Sequence, residues 1–283
     1  MDQLKFHDML ISFLPATRFK VDAGSTFGPV AKAVWSKLVE VDDLDRMDSV
    51  TSPMLIQYQA VNYLIDTGHG TSKMSEKSKN ITGLKEETQL FNSLKALNLQ
   101  AEDIDYILMT HMHDDHAGGL TKREGEHIVS SFPNAKIIVS QKEWEAVQHP
   151  NLRTRGTYLE DNWRPVRDQV HTFNETMELA PGLKMICTGG HSPGHSIILL
   201  EQAGETLIHL ADHLQSPLQA KPQWVTGFDD YPMDVLESKK YWLDQALPNG
   251  WGCLLYHDPN YTMVKLDPDS LAVIDHQART LKS

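Results

Sequence analysis

Short apolar runs that each end at a polar or glycine-rich loop recur along the chain. Residues 54–66 and 196–212 share one pattern, two apolar strands around a short turn, and end in the carboxylates Asp66 and Asp212. Further strands are predicted at 104–109, 135–139, 183–187 and 251–256. The repeated pattern predicts two related halves, each a hairpin-rich sheet, packed face to face.

Three segments carry the spacing or end signals of helices. Residues 86–98 place leucines at helical spacing. Ser140 and Glu143 form a possible capping box, which predicts a short helix after Ser140. Pro232 fits the first turn of a helix that runs to about Leu247. Helices between mixed strands indicate an α/β layered fold.

Composition and charge limit the class of protein. The chain has 283 residues, is 40% hydrophobic and carries a net charge of −12, so we expect a packed globular protein that disfavours nucleic acid and anionic membranes as partners. Its apolar runs are much shorter than the roughly 20 residues of a membrane span. The start lacks the features of a secretory signal, and Cys187 and Cys253 are predicted to be reduced thiols. These features favour a cytoplasmic location.

Candidate metal-ligating side chains are concentrated at residues 110–118, in the segment T-H-M-H-D-D-H-A-G. Imidazole and carboxylate groups together are typical ligands of zinc and similar ions. In an extended segment His111 and His113 project to the same side and can bind one ion. Asp115 and His116 follow the turn and can serve a second ion nearby. The cluster therefore predicts a metal centre that needs further ligands from elsewhere in the chain.

The remaining ligand candidates also lie where a strand gives way to a loop. The glycine-rich loop G-G-H-S-P-G-H contains His191 and His195, Asp212 ends one apolar strand, and His257 ends another. Of the other histidines, His69 is a candidate for the outer shell of the site, His209 for a core position, and the role of His213 stays open.

The ordered motifs H-x-H-x-D-H, G-H-S-P-G-H, a strand-closing Asp and a late His resemble those of the metallo-β-lactamase superfamily. Within it, residues 28–37 and 228–232 resemble the YtnP-type quorum-quenching N-acyl homoserine lactonases. The resemblance implies an αββα sandwich of two mixed β-sheets flanked by helices. It also implies one domain over 1–283 and a homodimer, with an N-terminal extension of about 50 residues that covers the pocket.

The resemblance implies a role for each ligand candidate. His111, His113 and His195 would hold one divalent ion, Asp115, His116 and His257 would hold a second, and Asp212 would bridge both. His191 corresponds to a histidine that is not expected to bind metal, and Asp66 to an aspartate that supports the metal loop. Zinc is favoured, with manganese, cobalt or iron as alternatives.

The implied reaction is the opening of an N-acyl homoserine lactone by a metal-bridging hydroxide, with Asp115 and Asp212 as catalytic residues and Asp212 as the general acid. The candidate walls of the acyl-chain pocket are aromatic: Phe27, Trp35, Trp224, Phe228 and Tyr231. Two alternatives stay open, a phosphotriesterase of the methyl parathion hydrolase type and a non-catalytic metal-binding sensor on the same fold.

Two positions depart from the pattern of known lactonases. Some of them carry a tyrosine three residues after the bridging aspartate, where this chain has Gln215. Tyr231 is a candidate replacement. Asp114 stands before the metal-binding aspartate, where apolar residues are common. It is predicted either to influence substrate preference or proton transfer at the metal centre, or to be a solvated loop carboxylate.

Overall fold

The structure is a computed structural model that describes residues 1–84 and 86–280, so Lys85 and residues 281–283 lie outside it. The strands of the described chain are β1 (Asp2–Phe6), β2 (Met9–Phe13), β3 (Thr17–Asp22), β4 (Arg46–Thr51), β5 (Met54–Tyr58), β6 (Val61–Ile65), β7 (Tyr106–Leu108), β8 (Thr121–Glu124), β9 (His127–Ser130), β10 (Lys136–Ser140), β11 (Val170–Phe173), β12 (Thr176–Ala180), β13 (Leu183–Cys187), β14 (Ser196–Gln202), β15 (Glu205–His209), β16 (Gly252–Leu254), β17 (Tyr261–Leu266) and β18 (Val273–Ala278).

These strands form two seven-stranded sheets and two separate two-stranded sheets. The first sheet has the order β1-β2-β5-β6-β7-β10-β11, and the second has the order β12-β13-β14-β15-β16-β17-β18. In the first sheet β6, β7, β10 and β11 run parallel, whereas the second is antiparallel except at the pair β15 and β16. β3 pairs with β4, and β8 pairs with β9.

The two hairpins predicted from the repeated pattern are confirmed as β5–β6 and β14–β15. Gln59 and Ala60 connect the first pair with φ values of 52° and 60°, and Ala203 and Gly204 connect the second with 51° and 81°. Positive φ at both central residues gives a turn whose twist matches that of the flanking strands. The connections therefore allow each hairpin to keep its apolar face toward the core.

Eight α-helices lie in the described part of the chain. They are α1 (Ala23–Phe27), α2 (Lys32–Trp35), α3 (Glu76–Ile81), α4 (Leu90–Ala96), α5 (Asp114–Ala117), α6 (Gln141–Gln148), α7 (Glu160–Trp163) and α8 (Pro232–Ala246). Short 3₁₀ turns lie at Ala101–Asp103, Gly118–Leu120, Thr154–Gly156, Arg164–Gln169, Ala211–His213 and Pro217–Gln219. None of the helices in the described part of the chain has the length and apolar character needed to span a bilayer.

Three hydrophobic clusters show the layer order. One lies between the sheets and combines residues such as Ile56 of the first with Ile198 of the second. Another packs Leu94 of α4 on the outer face of the first sheet, and a third packs Leu243 of α8 on the outer face of the second. Burying one such side chain contributes roughly 1.5–3 kcal/mol relative to exposure. The predicted αββα sandwich is therefore confirmed.

The helix at residues 86–98 is shorter than predicted and spans Leu90–Ala96. The helix from Pro232 ends at Ala246, close to its predicted end, because the chain turns after Leu247. The polar segment 72–82 contains α3, whose first turn is capped by Ser75.

Candidate metal centre

The predicted ligands follow strands of both sheets. β7 ends at Leu108, and a short irregular segment follows up to His113, which has an extended backbone and is the N-cap of α5. His191 lies in the loop between β13 and β14, whereas Asp212 and His257 follow β15 and β16. The separate loops bring these side chains into two adjoining clusters.

His111, His113 and His191 form the first cluster. Their ligand atoms all lie within 4.8 Å of one another. His191 Nε2 lies 3.1 Å from His113 Nδ1, and the side chain of each residue is buried. Three ring nitrogens that face each other without solvent are suited to a metal ion.

Asp115, His116 and His257 form the second cluster. The two Nε2 atoms lie 3.0 Å apart, and Asp115 Oδ2 lies 3.8 Å from His116 Nε2 and 3.5 Å from His257 Nε2. This cluster combines two imidazoles with one carboxylate, the ligand mixture that the sequence predicted for a second ion.

Asp212 lies between the clusters. Its Oδ1 is 3.2 Å from His116 Nε2 and 3.3 Å from His257 Nε2, and its Oδ2 is 3.3 Å from His191 Nε2. Oδ1 is buried and has no hydrogen-bond partner. One carboxylate therefore presents one oxygen to each cluster.

The protonation of the second cluster follows from the partners of its outer nitrogens. His116 Nδ1 donates to Asp66 Oδ2 at 2.9 Å, and His257 Nδ1 donates to the carbonyl oxygen of Val50 at 2.9 Å. In its neutral form, each ring then carries its lone pair on Nε2. Two lone pairs that face each other at 3.0 Å repel unless a positive charge lies between them.

The first cluster follows the same logic. His191 Nδ1 donates to Asp229 Oδ1 at 2.7 Å. Thr110 Oγ1 donates to Asp66 Oδ2 at 2.7 Å, so it accepts from His111 Nδ1 at 3.1 Å. His111 Nε2 is buried and has no hydrogen-bond partner. The outer nitrogens of His191 and His111 are thus used as donors, and their inner nitrogens are free to bind metal.

Electrostatics agree with this assignment. Burial and the neighbouring His191 lower the pKa of His113 to about 3, and burial together with His116 and His113 lowers that of His111 well below its usual value. Both rings are therefore neutral, which is the form that binds metal. Burial opposes the protonation of His116, but the carboxylate of Asp212 and two others outweigh it and raise its pKa well above the ordinary value. This position attracts a positive charge, and the donor set as a whole fits metal ions.

A sequence profile of the metallo-beta-lactamase superfamily matches residues 47–250, which is more than half of the chain. The chain belongs to this superfamily.

Related proteins support the same placement. The chain is similar to a probable metal-dependent hydrolase from Staphylococcus aureus, with 36% identity and a TM-score of 0.94 over 99% of this chain and 100% of that one. It shares its fold with AidC, a dizinc quorum-quenching lactonase, at 19% identity and a TM-score of 0.80 over 100% of this chain and 98% of that one. An N-acyl homoserine lactonase of a Bacillus species is 27% identical over 67% of this chain and 69% of that protein.

The third histidine of the first cluster differs from the sequence prediction. In this member of the superfamily, His191 rather than His195 faces His111 and His113. The amides of Thr188 and Gly189 both donate to the carbonyl oxygen of His195, at 2.8 and 2.9 Å. These bonds close the loop, so that His195 lies at its base and His191 projects from it. The ring of His195 stacks on His213 instead, with centroids 4.1 Å apart.

The two clusters border a cavity of about 470 Å³. Of the predicted aromatic walls, Phe228 lines this cavity. Phe27 and Trp35 do not, because they stack on each other in a separate buried cluster with Trp224. Tyr231 also lies outside the cavity and is 46% exposed, so it is not placed to replace the missing tyrosine.

The cavity contains residues that sequence reasoning missed. Phe19 and Val21 of β3 and Arg153 line it. No local signal marks Phe19 and Val21, because β3 is an ordinary alternating strand. The sequence marks Asp229, which orients His191, only as part of residues 228–232, and it marks Glu143 only as a helix-capping residue.

The two departures from the lactonase pattern both line the cavity. Gln215 Nε2 donates to Asp212 Oδ2 at 2.7 Å. Asp114 Oδ1 accepts from Asn162 Nδ2 at 2.9 Å, and Asn162 is itself buried. Asp114 is therefore a fixed pocket carboxylate rather than a freely solvated one.

Three further buried histidines, His69, His209 and His213, lie outside the two clusters. His69 lines the cavity and pairs through Nδ1 with Thr17 Oγ1 at 2.9 Å, next to the metal clusters but outside them. His209 is buried and its Nδ1 bonds to the carbonyl oxygen of Leu254 at 3.0 Å, as expected for a core histidine. His213 Nε2 bonds to the carbonyl oxygen of Gly189 at 3.0 Å and thus supports the His191 loop.

Proposed function

We propose that this protein is a dinuclear metal-dependent hydrolase that opens the lactone ring of N-acyl homoserine lactones. The observation that carries the proposal is the position of Asp212 between two histidine clusters at one cavity. The proposed ligands are His111, His113 and His191 for one ion, Asp115, His116 and His257 for the other, and Asp212 for both. The lactonases among the related proteins favour a lactone as the substrate.

The chemistry divides between the ions and the chain. Two divalent ions, when bound, would act as Lewis acids on the attacking water and on the carbonyl oxygen. Asp212 is held as a carboxylate, because His116 and His257 outweigh the opposing effect of burial and keep its pKa well below the usual value. It can take a proton from the attacking water and return it to the ring oxygen as the C–O bond breaks. Gln215 holds Asp212 Oδ2 in place for this transfer.

The N-terminal residues form part of the proposed site. We propose that the chain forms one domain in which an extension of about 50 residues covers the pocket. Phe19 and Val21 line the cavity, and Val50 fixes the ring of His257 through its carbonyl oxygen. The proposal also retains zinc as the favoured metal, a homodimer and a cytoplasmic location.

The test is turnover and metal content of the purified protein. We expect about two ions per chain by elemental analysis and proton release from an N-acyl homoserine lactone as its ring opens. Asp212→Asn should lower kcat by about 100-fold or more, as general acid–base groups contribute roughly 10²–10⁴-fold. Asp168→Asn is the matched control, because the Asp168 side chain is 92% exposed and does not line the cavity.

Two results would contradict the proposal and favour an alternative. Turnover of a phosphotriester without lactone hydrolysis would indicate a phosphotriesterase. Fewer than one ion per chain after expression in zinc-supplemented medium, with no turnover of either substrate, would indicate a non-catalytic protein on this fold.

A further inference from the structure

Glu143 is a fully buried carboxylate on the first turn of α6. The sequence suggested that its side chain would reach back to cap its own helix. Ser140 Oγ does accept from the amide of Glu143 at 3.1 Å, but the Glu143 carboxylate turns away from the helix. Its partners lie on other segments.

The two oxygens of Glu143 contact both metal-binding loops. Oε1 accepts from the amide of Met112 at 2.9 Å, and Met112 stands between the ligands His111 and His113. Oε2 accepts from Ser192 Oγ at 2.6 Å and from the amide of Gly194 at 3.0 Å, in the loop that carries His191. One side chain therefore joins the two loops of the first cluster.

The start of α6 is packed tightly against the second loop. Ser140 Oγ donates to the carbonyl oxygen of Gly194 at 2.6 Å. A Cβ atom at Gly194 would lie 2.1 Å from the amide nitrogen of Glu143, so only glycine allows this approach. The contact fixes the loop at a set distance from the helix and from Met112.

The bridge requires a carboxylate. Tyr158 Oη also donates to Oε1, at 2.8 Å, so the two oxygens accept from four donors. Two of these donors are backbone amides, which cannot reverse, whereas hydroxyl groups can rotate. An amide side chain has one oxygen and would present its NH₂ group to one of the two backbone N–H groups. Glutamine would thus release one loop while keeping the shape of the side chain.

The negative charge of Glu143 is not balanced by a lysine or arginine of the described chain. Among the residues that the structure describes, no lysine or arginine forms an ion pair with it. Burial raises the pKa of Glu143, and its hydrogen bonds oppose this rise. A cation held between the neighbouring loops would stabilise the buried carboxylate.

We propose that Glu143 is a positioning residue that holds the two metal-binding loops at a fixed separation, so that they bind metal as one unit. The inference rests on the metal centre of the proposed function and is independent of the substrate. It assigns to α6 a role in metal binding that its sequence pattern as a capped helix does not show.

The test compares the Zn²⁺ affinity of Glu143→Gln with that of the unaltered protein by competition with a chromophoric chelator. We expect binding about 10–100-fold weaker, the usual effect of removing an outer partner of a metal site. The absorption spectrum of the Co²⁺-substituted variant should also change, because the angle between the His113 and His191 ligands is no longer fixed. A purely structural role would lower thermal stability without changing the affinity or the spectrum.

Tyr158→Phe is the matched control, since it removes one donor to Glu143 and keeps both loop amides bonded. It should retain the affinity of the unaltered protein. Ser140→Ala, which removes the second contact to Gly194, should show a smaller loss in the same direction. If Glu143→Gln does not refold without metal, the rate of Zn²⁺ release from the loaded protein is measured instead, and faster release is expected.

Equal affinity or release rate for Glu143→Gln and the unaltered protein would overturn the proposal, and so would an equal loss in Tyr158→Phe. These results are separable from failure of the proposed function. A protein that binds Zn²⁺ but does not hydrolyse lactones would refute the substrate and leave this comparison intact.

Discussion

The two histidine-rich loops of the metal centre are built in different ways. In the first loop, four candidate ligands lie within residues 111–116, on an extended segment and the short helix α5. Asp66, which follows the neighbouring strand β6, accepts from the amide of Thr110 at 2.8 Å, from its hydroxyl and from His116. Local spacing brings the four candidate ligands together, whereas Asp66 and Glu143, which lie 31 to 50 residues from their partners in the chain, hold the segment in place.

The second loop contributes a single ligand, and distant residues orient it. Asp229 holds His191 Nδ1, and Glu143 holds the loop through Ser192 and Gly194. These partners lie 38 and about 50 residues away in the chain, much as Asp66 lies 44 to 50 residues from its partners in the first loop, so the two loops differ in how many candidate ligands lie close together in sequence. The comparison teaches that spacing identifies ligands only where the ligands themselves lie close in sequence.

The largest expected effect is the difference in bound metal and turnover between variants of His191 and of His195. His191→Asn should lower the bound metal from about two ions per chain to about one and abolish turnover, because one cluster loses its third nitrogen. His195→Asn should keep both ions, since asparagine can preserve the bond to Thr188 Oγ1 that His195 Nδ1 makes at 2.9 Å. Elemental analysis and turnover measure both variants. Loss of an ion in His195→Asn alone would reverse the assignment.

A smaller effect on Zn²⁺ affinity is expected from variants of the two carboxylates that orient the loops. Asp66→Asn should weaken Zn²⁺ binding by about 10–100-fold, because Asp66 accepts from three donors and asparagine keeps one acceptor oxygen. Asp229→Asn should lie near the lower end of that range, since Asp229 orients only His191. Chelator competition measures both affinities, with Asp168→Asn as the control. A larger loss in Asp229→Asn would contradict the proposed difference between the loops.

The last prediction concerns Lys239, which holds the segment that leads to Asp229, and it has the smallest expected effect on the site. Lys239 of α8 is buried, and its Nζ donates to the carbonyl oxygens of Gln219 and Trp224 at 3.2 and 2.9 Å. Burial lowers the pKa of Lys239 from 10.5 to about 8. Between these pH values the unfolded chain binds more protons than the folded protein, so stability rises with pH in this window.

Lys239→Met removes that titration. From pH 8 to 10.5 the free energy of unfolding of the unaltered protein should therefore rise by up to roughly 3 kcal/mol relative to the variant. Below pH 8 the difference between the two proteins should be constant. Denaturant unfolding at a series of pH values measures it, and parallel curves throughout would show that Lys239 is not desolvated in the folded protein.

Much of the fold was predictable because its signals are local. The hairpins at 54–66 and 196–212 follow from alternation and turn residues, and α6 and α8 follow from Ser140 and Pro232. The pocket wall was not predictable in this way. Phe27 and Trp35 are aromatic, as residues of a binding surface often are, but they stack on each other in a buried cluster. Phe19 lines the cavity instead.

The sequence by itself determined the superfamily, the layered sheets and the residues 111–116 as a segment of candidate metal ligands, because periodicity and short-range spacing are properties of the chain. Only the tertiary structure decided between His191 and His195, since both follow a glycine in the same loop. The decision rests on how the loop closes on itself and on contacts with Glu143 and Asp229, which depend on packing between segments far apart in sequence.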